Sequence, residues 1–167
     1  MKNTSKILCL YIFGLFVIFA LPSLAANEGS TELIPLKKYM DINGAQFLSD
    51  PPTFQYALER CTAIYSAMVG VFNNETASDR LQVQSQLKAK ADKFGMYAIN
   101  IASAQKKVTT GDRTAGLRND IVMLLHIYVE RIKDARLRLG DFWEDKIVAE
   151  DYEVCEGINL YIDGLKK

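Results

Sequence analysis

From residue 51 onward, hydrophobic side chains recur every three or four positions, which is the spacing of one face of an α-helix. The first stripe follows an acidic residue and two prolines at 50–52, a pattern typical of a helix start. Its members are Phe54, Leu58, Cys61, Tyr65, Met68 and Phe72. The spacing predicts an amphipathic helix that ends near Asn73 and carries Cys61 on its inward face.

Three similar stripes follow and predict three more helices. We expect the second to run from a cap at Thr76 or Ser78 to about Val108, the third over roughly 113–139, and the last over about 142–165 in one piece or two. No window shows the period-two alternation of a strand. The sequence therefore predicts an all-α domain over residues 51–167, an antiparallel four-helix bundle.

Residues 26–50 lack such a stripe. Gly29, Pro35 and Gly44 interrupt this segment, and only 36–40 has the character of a short helical piece. We therefore predict an irregular N-terminal segment ahead of the bundle.

The first 25 residues have the pattern of a secretory signal peptide. Lys2 and Lys6 precede an uncharged run of 15 residues at 7–21, and small residues follow. Cleavage after Ala25 puts small side chains at both recognition positions. An uncleaved membrane anchor is the alternative, but a spanning helix needs about 20 apolar residues. We expect an exported protein with no membrane span after cleavage, periplasmic in a Gram-negative bacterium and secreted otherwise.

Removal of the signal peptide changes the charge and the cysteine count. The whole chain has 20 basic and 20 acidic residues, and without Lys2 and Lys6 the counts are 18 and 20, a net charge of −2. Cys9 is lost as well, which leaves Cys61 and Cys155, each on the inward stripe of its helix. In an oxidising compartment two such cysteines predict a disulfide bond, and two free thiols are the alternative. Because the closed loop is long, the bridge would be worth about 4–5 kcal/mol.

The chain carries little catalytic chemistry. It has a single histidine, and it lacks the glycine-rich phosphate loops, the nucleophile elbow and the metalloprotease helix of common enzyme classes. Its balanced charge gives no bulk signal for nucleic acid. We therefore predict a non-enzymatic protein with no cofactor and no nucleic-acid partner.

One alternative is a small-ligand carrier that binds haem or copper in the bundle interior. Thioether and imidazole groups suit such a site, and the candidate ligands are Met68, Met96, Met123 and His126. The methionines lack metal-ligand spacing among themselves, and methionine also fills gaps in hydrophobic cores.

The strongest candidate for a partner surface is the pair Phe142 and Trp143, which contains the only tryptophan of the chain. Tryptophan is enriched at binding hot spots, although an aromatic cap on the bundle core is the alternative. We interpret the acidic residues of 144–156 as a solvated helix face, and Asn74 begins a glycosylation acceptor tripeptide. Together these features predict an interaction or accessory module of the cell envelope with an unknown protein partner.

Overall fold

The computed structural model describes residues 33–72, 78–105 and 110–165, and these are almost entirely helical. The α-helices are α1 (Leu36–Asn43), α2 (Gln46–Ser49), α3 (Pro51–Phe72), α4 (Ser78–Ala104), α5 (Thr110–Leu139) and α6 (Lys146–Gly164), with a 3₁₀ turn at Phe142–Glu144 between α5 and α6. No strand occurs in these ranges, so the all-α class is confirmed. The predicted signal peptide and the Asn74 tripeptide lie outside the described residues.

The helix ends follow local capping chemistry. The Asp50 carboxylate accepts the Thr53 backbone N–H at 3.0 Å and so caps α3. At the other end of the fold Gly140 has φ +86°, a left-handed conformation that stops α5. The Asp145 carboxylate then accepts the Val148 backbone N–H at 3.0 Å and starts α6. The predicted break at Gly140 is therefore confirmed, and the last helical stretch is in two pieces.

The predicted count of four helices is not confirmed, because the described residues form six. The segment expected to be irregular contains α1 and α2, joined by a left-handed turn at Gly44. Leu33, Leu36 and Phe47 from this segment are buried. Burial of these side chains against the rest of the fold offsets the breaks at Pro35 and Gly44 that the sequence emphasises. The compact unit of the chain accordingly begins at Leu33.

Helix α3 lies at the centre of this unit. Every residue from 57 to 65 is buried, so the helix is enclosed on all sides rather than on one face. Its contacts with α4 run in opposite directions along the two helices: Gln55 meets Gln105, which directly follows α4, and Tyr65 meets Phe94. These two helices are therefore antiparallel, as expected for neighbours in a bundle.

The predicted disulfide bond joins α3 to α6. Cys61 and Cys155 are both fully buried, with their Cα atoms 5.4 Å apart. This distance is within the range that an unstrained bridge requires. The bond therefore ties the central helix to the last one.

Among the described helices, none is both long enough and apolar enough to cross a membrane.

Candidate functional site

Phe142 and Trp143 lie on the 3₁₀ turn, but in different environments. Phe142 is buried against the core, whereas the Trp143 residue remains 42% exposed. The Trp143 ring is 4.6 Å from the Phe142 ring and makes an edge contact with Tyr152 at 5.0 Å. We call Phe142, Trp143 and Tyr152 the aromatic platform. One residue of the predicted pair thus caps the core, and the other presents an aromatic surface.

The platform continues into the protein interior through two more rings. Tyr152 makes an edge contact with Tyr65 at 5.7 Å, and Tyr65 stacks on Phe94 at 5.6 Å with nearly parallel planes. Contacts of this kind stabilise aromatic pairs by about 0.5–1.5 kcal/mol beyond their buried area. The exposed tryptophan is therefore held by a series of packed rings that reaches from α6 through α3 to α4.

A polar cluster borders these rings and is partly open to solvent. The Tyr65 hydroxyl donates to Glu156 Oε1 at 2.7 Å, and the Lys90 ammonium pairs with the same oxygen. The Lys90 and Glu156 side chains are 27% and 31% exposed. The Lys90 nitrogen also lies 5.4 Å from the centre of the Tyr65 ring, a cation–π distance. We call Lys90, Glu156 and Tyr65 the Glu156 cluster.

The Glu156 cluster keeps its carboxylate charged. Burial alone raises the pKa of Glu156, but the hydrogen bonds from Lys90 and Tyr65 outweigh this effect and hold the pKa below its ordinary value. Burial and the bond to Glu156 raise the pKa of Tyr65, so its hydroxyl stays neutral and acts as a donor. The cluster therefore presents a fixed anion and a fixed cation beside the aromatic platform.

A second cluster of the same chemistry lies wholly inside the protein. Arg60 of α3 pairs with Asp151 of α6, and both side chains are 0% exposed. Arg60 Nε donates to the Tyr128 hydroxyl at 3.1 Å, and that hydroxyl donates to Asp151. We call Arg60, Asp151 and Tyr128 the Asp151 cluster.

The Asp151 cluster also holds the N-terminal segment in place. Arg60 Nη1 donates to the backbone oxygen of Ile34 at 2.6 Å, and the backbone N–H of Leu36 donates to Asp151 Oδ1 at 2.5 Å. Burial raises the pKa of Tyr128, and Asp151 raises it further, so the tyrosine remains a neutral donor. Since all three side chains are enclosed, a substrate has no access to this cluster, and its role is structural.

These two clusters correct the interpretation of the acidic run at 144–156 as a solvated helix face. Asp151 is fully buried and Glu156 is half-buried. The reason is pairing over long distances in the sequence, with Arg60 for Asp151 and Lys90 for Glu156. The signal for this burial in the sequence is the charged pair Glu59 and Arg60, which interrupts the apolar residues on either side.

The four candidate metal ligands do not share one environment. Met68 lies in the core, whereas Met96, Met123 and His126 are exposed. The described residues contain no group of three or more His, Cys, Asp or Glu side chains placed to hold a metal ion. An interior site would therefore have Met68 alone from this set.

No protein-family model, curated protein or solved structure matches this chain. Its function must therefore be inferred from the residues described above.

Proposed function

We propose that this protein is an exported, non-enzymatic helical module of the cell envelope that binds a partner protein through the aromatic platform. The observation that carries the proposal is the Trp143 side chain, which is held by two aromatic neighbours yet remains 42% exposed. A ring that is already fixed loses little conformational entropy when a partner covers it. Exposed and rigid tryptophan is the typical centre of a binding hot spot.

The Glu156 cluster supplies polar groups to the same region. Tyr152 contacts Trp143, and its pKa is raised first by burial and then by the nearby Glu156 charge. Lys90 and Glu156 are both partly exposed. An aromatic centre with charged groups at its edge is the usual composition of a protein–protein interface. The platform and the Glu156 cluster together are therefore our candidate interface.

Export is the second part of the proposal. It is supported by the signal-peptide pattern of residues 1–25 and by the disulfide bond, which is typical of proteins in oxidising compartments. Mass spectrometry of the protein from its native source should find a mature chain that begins at Ala26. A chain that retains the first 25 residues would contradict cleavage.

The interface is tested by site-specific photo-crosslinking in the native envelope. A photoreactive amino acid replaces Trp143 in one variant and Leu160 in the control, because Leu160 is 72% exposed and lies outside the platform. We expect one defined adduct from position 143 and none of that mass from position 160. The partner is then identified and titrated against the purified wild type, Trp143→Lys and Leu160→Lys. Equal affinity of Trp143→Lys and wild type would overturn the proposed interface.

A further inference from the structure

A groove of about 240 Å³ lies between the second half of α3 and the C-terminal part of α5. Its apolar wall is formed by Ala67, Gly70 and Val71 from α3 and by Val129 and Ile132 from α5. Gly70 has no side chain, and a Cβ atom added there would meet nothing within 4 Å. The groove is therefore open at Gly70, because neither a side chain of this residue nor a neighbouring atom fills that position.

Two cations complete the lining of this groove. Lys133 and Arg136 lie three positions apart on α5 and so share one face of the helix. Lys133 pairs with Glu130 at 2.9 Å on the exposed surface. Arg136 lies 5.6 Å from the centre of the Phe142 ring, and no carboxylate of the described residues pairs with it. At least one cation at the edge of the apolar wall is thus available to a bound anion.

The size of the groove limits what can occupy it. An apolar cavity of about 150 Å³ already holds a benzene molecule, and pockets for drug-sized ligands begin near 300 Å³. A standard protein interface covers about 800 Å² on each partner, which is more than a seven-residue groove provides. The dimensions therefore favour one alkyl chain over a protein surface.

We propose that the groove between α3 and α5 binds a single-chain amphiphile with an anionic head group. The alkyl chain lies against Ala67, Gly70 and Ile132, and the head group pairs with Arg136 and Lys133. A fatty carboxylate and a monoalkyl phosphate share this chemistry. Arg136 also contacts Phe142 of the aromatic platform, so the two proposed sites adjoin at this residue, but the apolar wall of the groove shares no residue with the partner interface.

A second groove in the same molecule provides an internal control. It has a volume of about 270 Å³ and is lined by apolar residues that include Phe47, Val154, Gly157 and Tyr161. No cation lines it. Gly157 has open space around it in the same way as Gly70. The two grooves thus match in size and differ in charge.

The test is isothermal titration of the disulfide-bonded protein with ten-carbon ligands below their micelle concentrations. Decanoate and decyl phosphate carry the anionic head group, and decanol is the neutral control. We expect both anions to bind with one site and decanol to bind at least tenfold more weakly, because a hydrogen bond to a charged group is worth about this factor. A higher affinity for decanoate than for decyl phosphate indicates a fatty acid as the natural ligand. The opposite order indicates a phospholipid derivative.

Matched glycine variants locate the site. Gly70→Leu fills the groove between α3 and α5, and Gly157→Leu fills the second groove. Both substitutions replace a helical glycine with a stronger helix former, so both proteins should fold. We expect Gly70→Leu to weaken decanoate binding at least tenfold and Gly157→Leu to leave it unchanged. Arg136→Gln should lower the affinity for decanoate about tenfold and leave the affinity for decanol unchanged.

Three results would overturn the proposal. The first is no binding of either anion by the wild type. The second is decanoate binding that survives Gly70→Leu or is lost in Gly157→Leu. The third is equal affinity for decanol and decanoate, which would show that the cations do not select the head group.

Discussion

Two clusters in this protein combine a cation, a carboxylate and a tyrosine hydroxyl, but one is sealed and the other is partly open. The Asp151 cluster has 0% exposed charged side chains, whereas those of the Glu156 cluster are about 30% exposed. In the sealed cluster Arg60 donates to three separate acceptors, one of them the backbone of Ile34. In the open cluster, Lys90 and Glu156 also face water. Burial therefore decides whether the same groups hold the fold together or remain available to a partner.

The disulfide bond lies between the two clusters in the sequence. Cys61 directly follows Arg60, and Cys155 directly precedes Glu156. The bond thus fixes the contact between α3 and α6 on which both clusters depend. Separate removal of the bridge, the sealed pair and the open pair should therefore give three distinct losses of stability.

The largest loss is expected when the bridge is removed. In the double variant Cys61→Ala with Cys155→Ala, the unfolded chain regains the freedom of a loop closed by residues 94 positions apart. The free energy of unfolding should fall by about 4–5 kcal/mol, measured by urea denaturation. Wild-type protein kept reduced is the control and should show a similar loss. A change below about 1 kcal/mol would contradict this account.

Removal of the sealed pair, Arg60 with Asp151, should give the second largest loss of stability. Asp151→Asn removes the partner charge of Arg60 and leaves a buried cation, so the free energy of unfolding should fall by about 3–5 kcal/mol. The double variant Arg60→Met with Asp151→Leu leaves no buried charge and should recover part of this loss. Equal losses in the two variants would mean that the unpaired charge is not the cause.

A third buried carboxylate, Glu59, sharpens the comparison because among the described residues no cation pairs with it. Gln55 donates to it at 2.7 Å. Burial raises the pKa of Glu59 from its ordinary 4.5 to about 7, the bond from Gln55 opposes the rise, and Asp120 of α5 adds to it. The folded state therefore binds more protons than the unfolded chain between these values, and stability falls as pH rises from 4.5 to 7.

We expect the contribution of Glu59 to this fall to be about 3 kcal/mol and to be complete by about pH 8. Glu59→Gln removes the titrating group, so the difference between the two profiles isolates its contribution. The measurement is urea denaturation at a series of pH values. Parallel profiles for the two proteins would show that Glu59 does not titrate in this range.

The open pair should have the smallest effect on stability. Glu156→Gln breaks the charge pair with Lys90, but water reaches both groups, so the loss should stay below about 1 kcal/mol. If the Glu156 cluster belongs to the interface, the same substitution should also lower the affinity for the partner that is crosslinked at Trp143. A loss as large as that of Asp151→Asn would erase the distinction between the two clusters.

The sequence predicts much of this fold because periodicity is a local signal. The long helices and the inward cysteines follow from spacing alone, and the stop at Gly140 follows from its backbone freedom. The same signal places Arg60 on the polar side of α3, since spacing does not show that another helix covers that side. Within 36–49 the sequence predicts only a short helical piece at 36–40, for a related reason: the stability of these helices comes from packing of Leu36 and Phe47 against distant residues.

The sequence predicts the pair Phe142 and Trp143 but not the residues around it, again because spacing along the chain does not show which helices pack together. Phe142 and Trp143 are distinctive in composition, so their position was expected to matter. The residues that hold or border them, Tyr65, Tyr152 and Lys90, come from other helices. Which tyrosine or lysine reaches a given carboxylate depends on three-dimensional packing, and no spacing rule contains that information.

The bonds from Ile34 and Leu36 to the Asp151 cluster have a consequence for how the chain folds. Leu36 and Asp151 are separated by 115 residues. As the polypeptide leaves the ribosome, residues 34–36 cannot complete their bonds to the Asp151 cluster until the final helix has emerged. Contacts this far apart slow the search for the native topology. Until that helix is made, Arg60 lacks its counter-ion Asp151. Burial of this unpaired charge would be unfavourable, so we expect α3 of the nascent chain to stay exposed to water at Arg60.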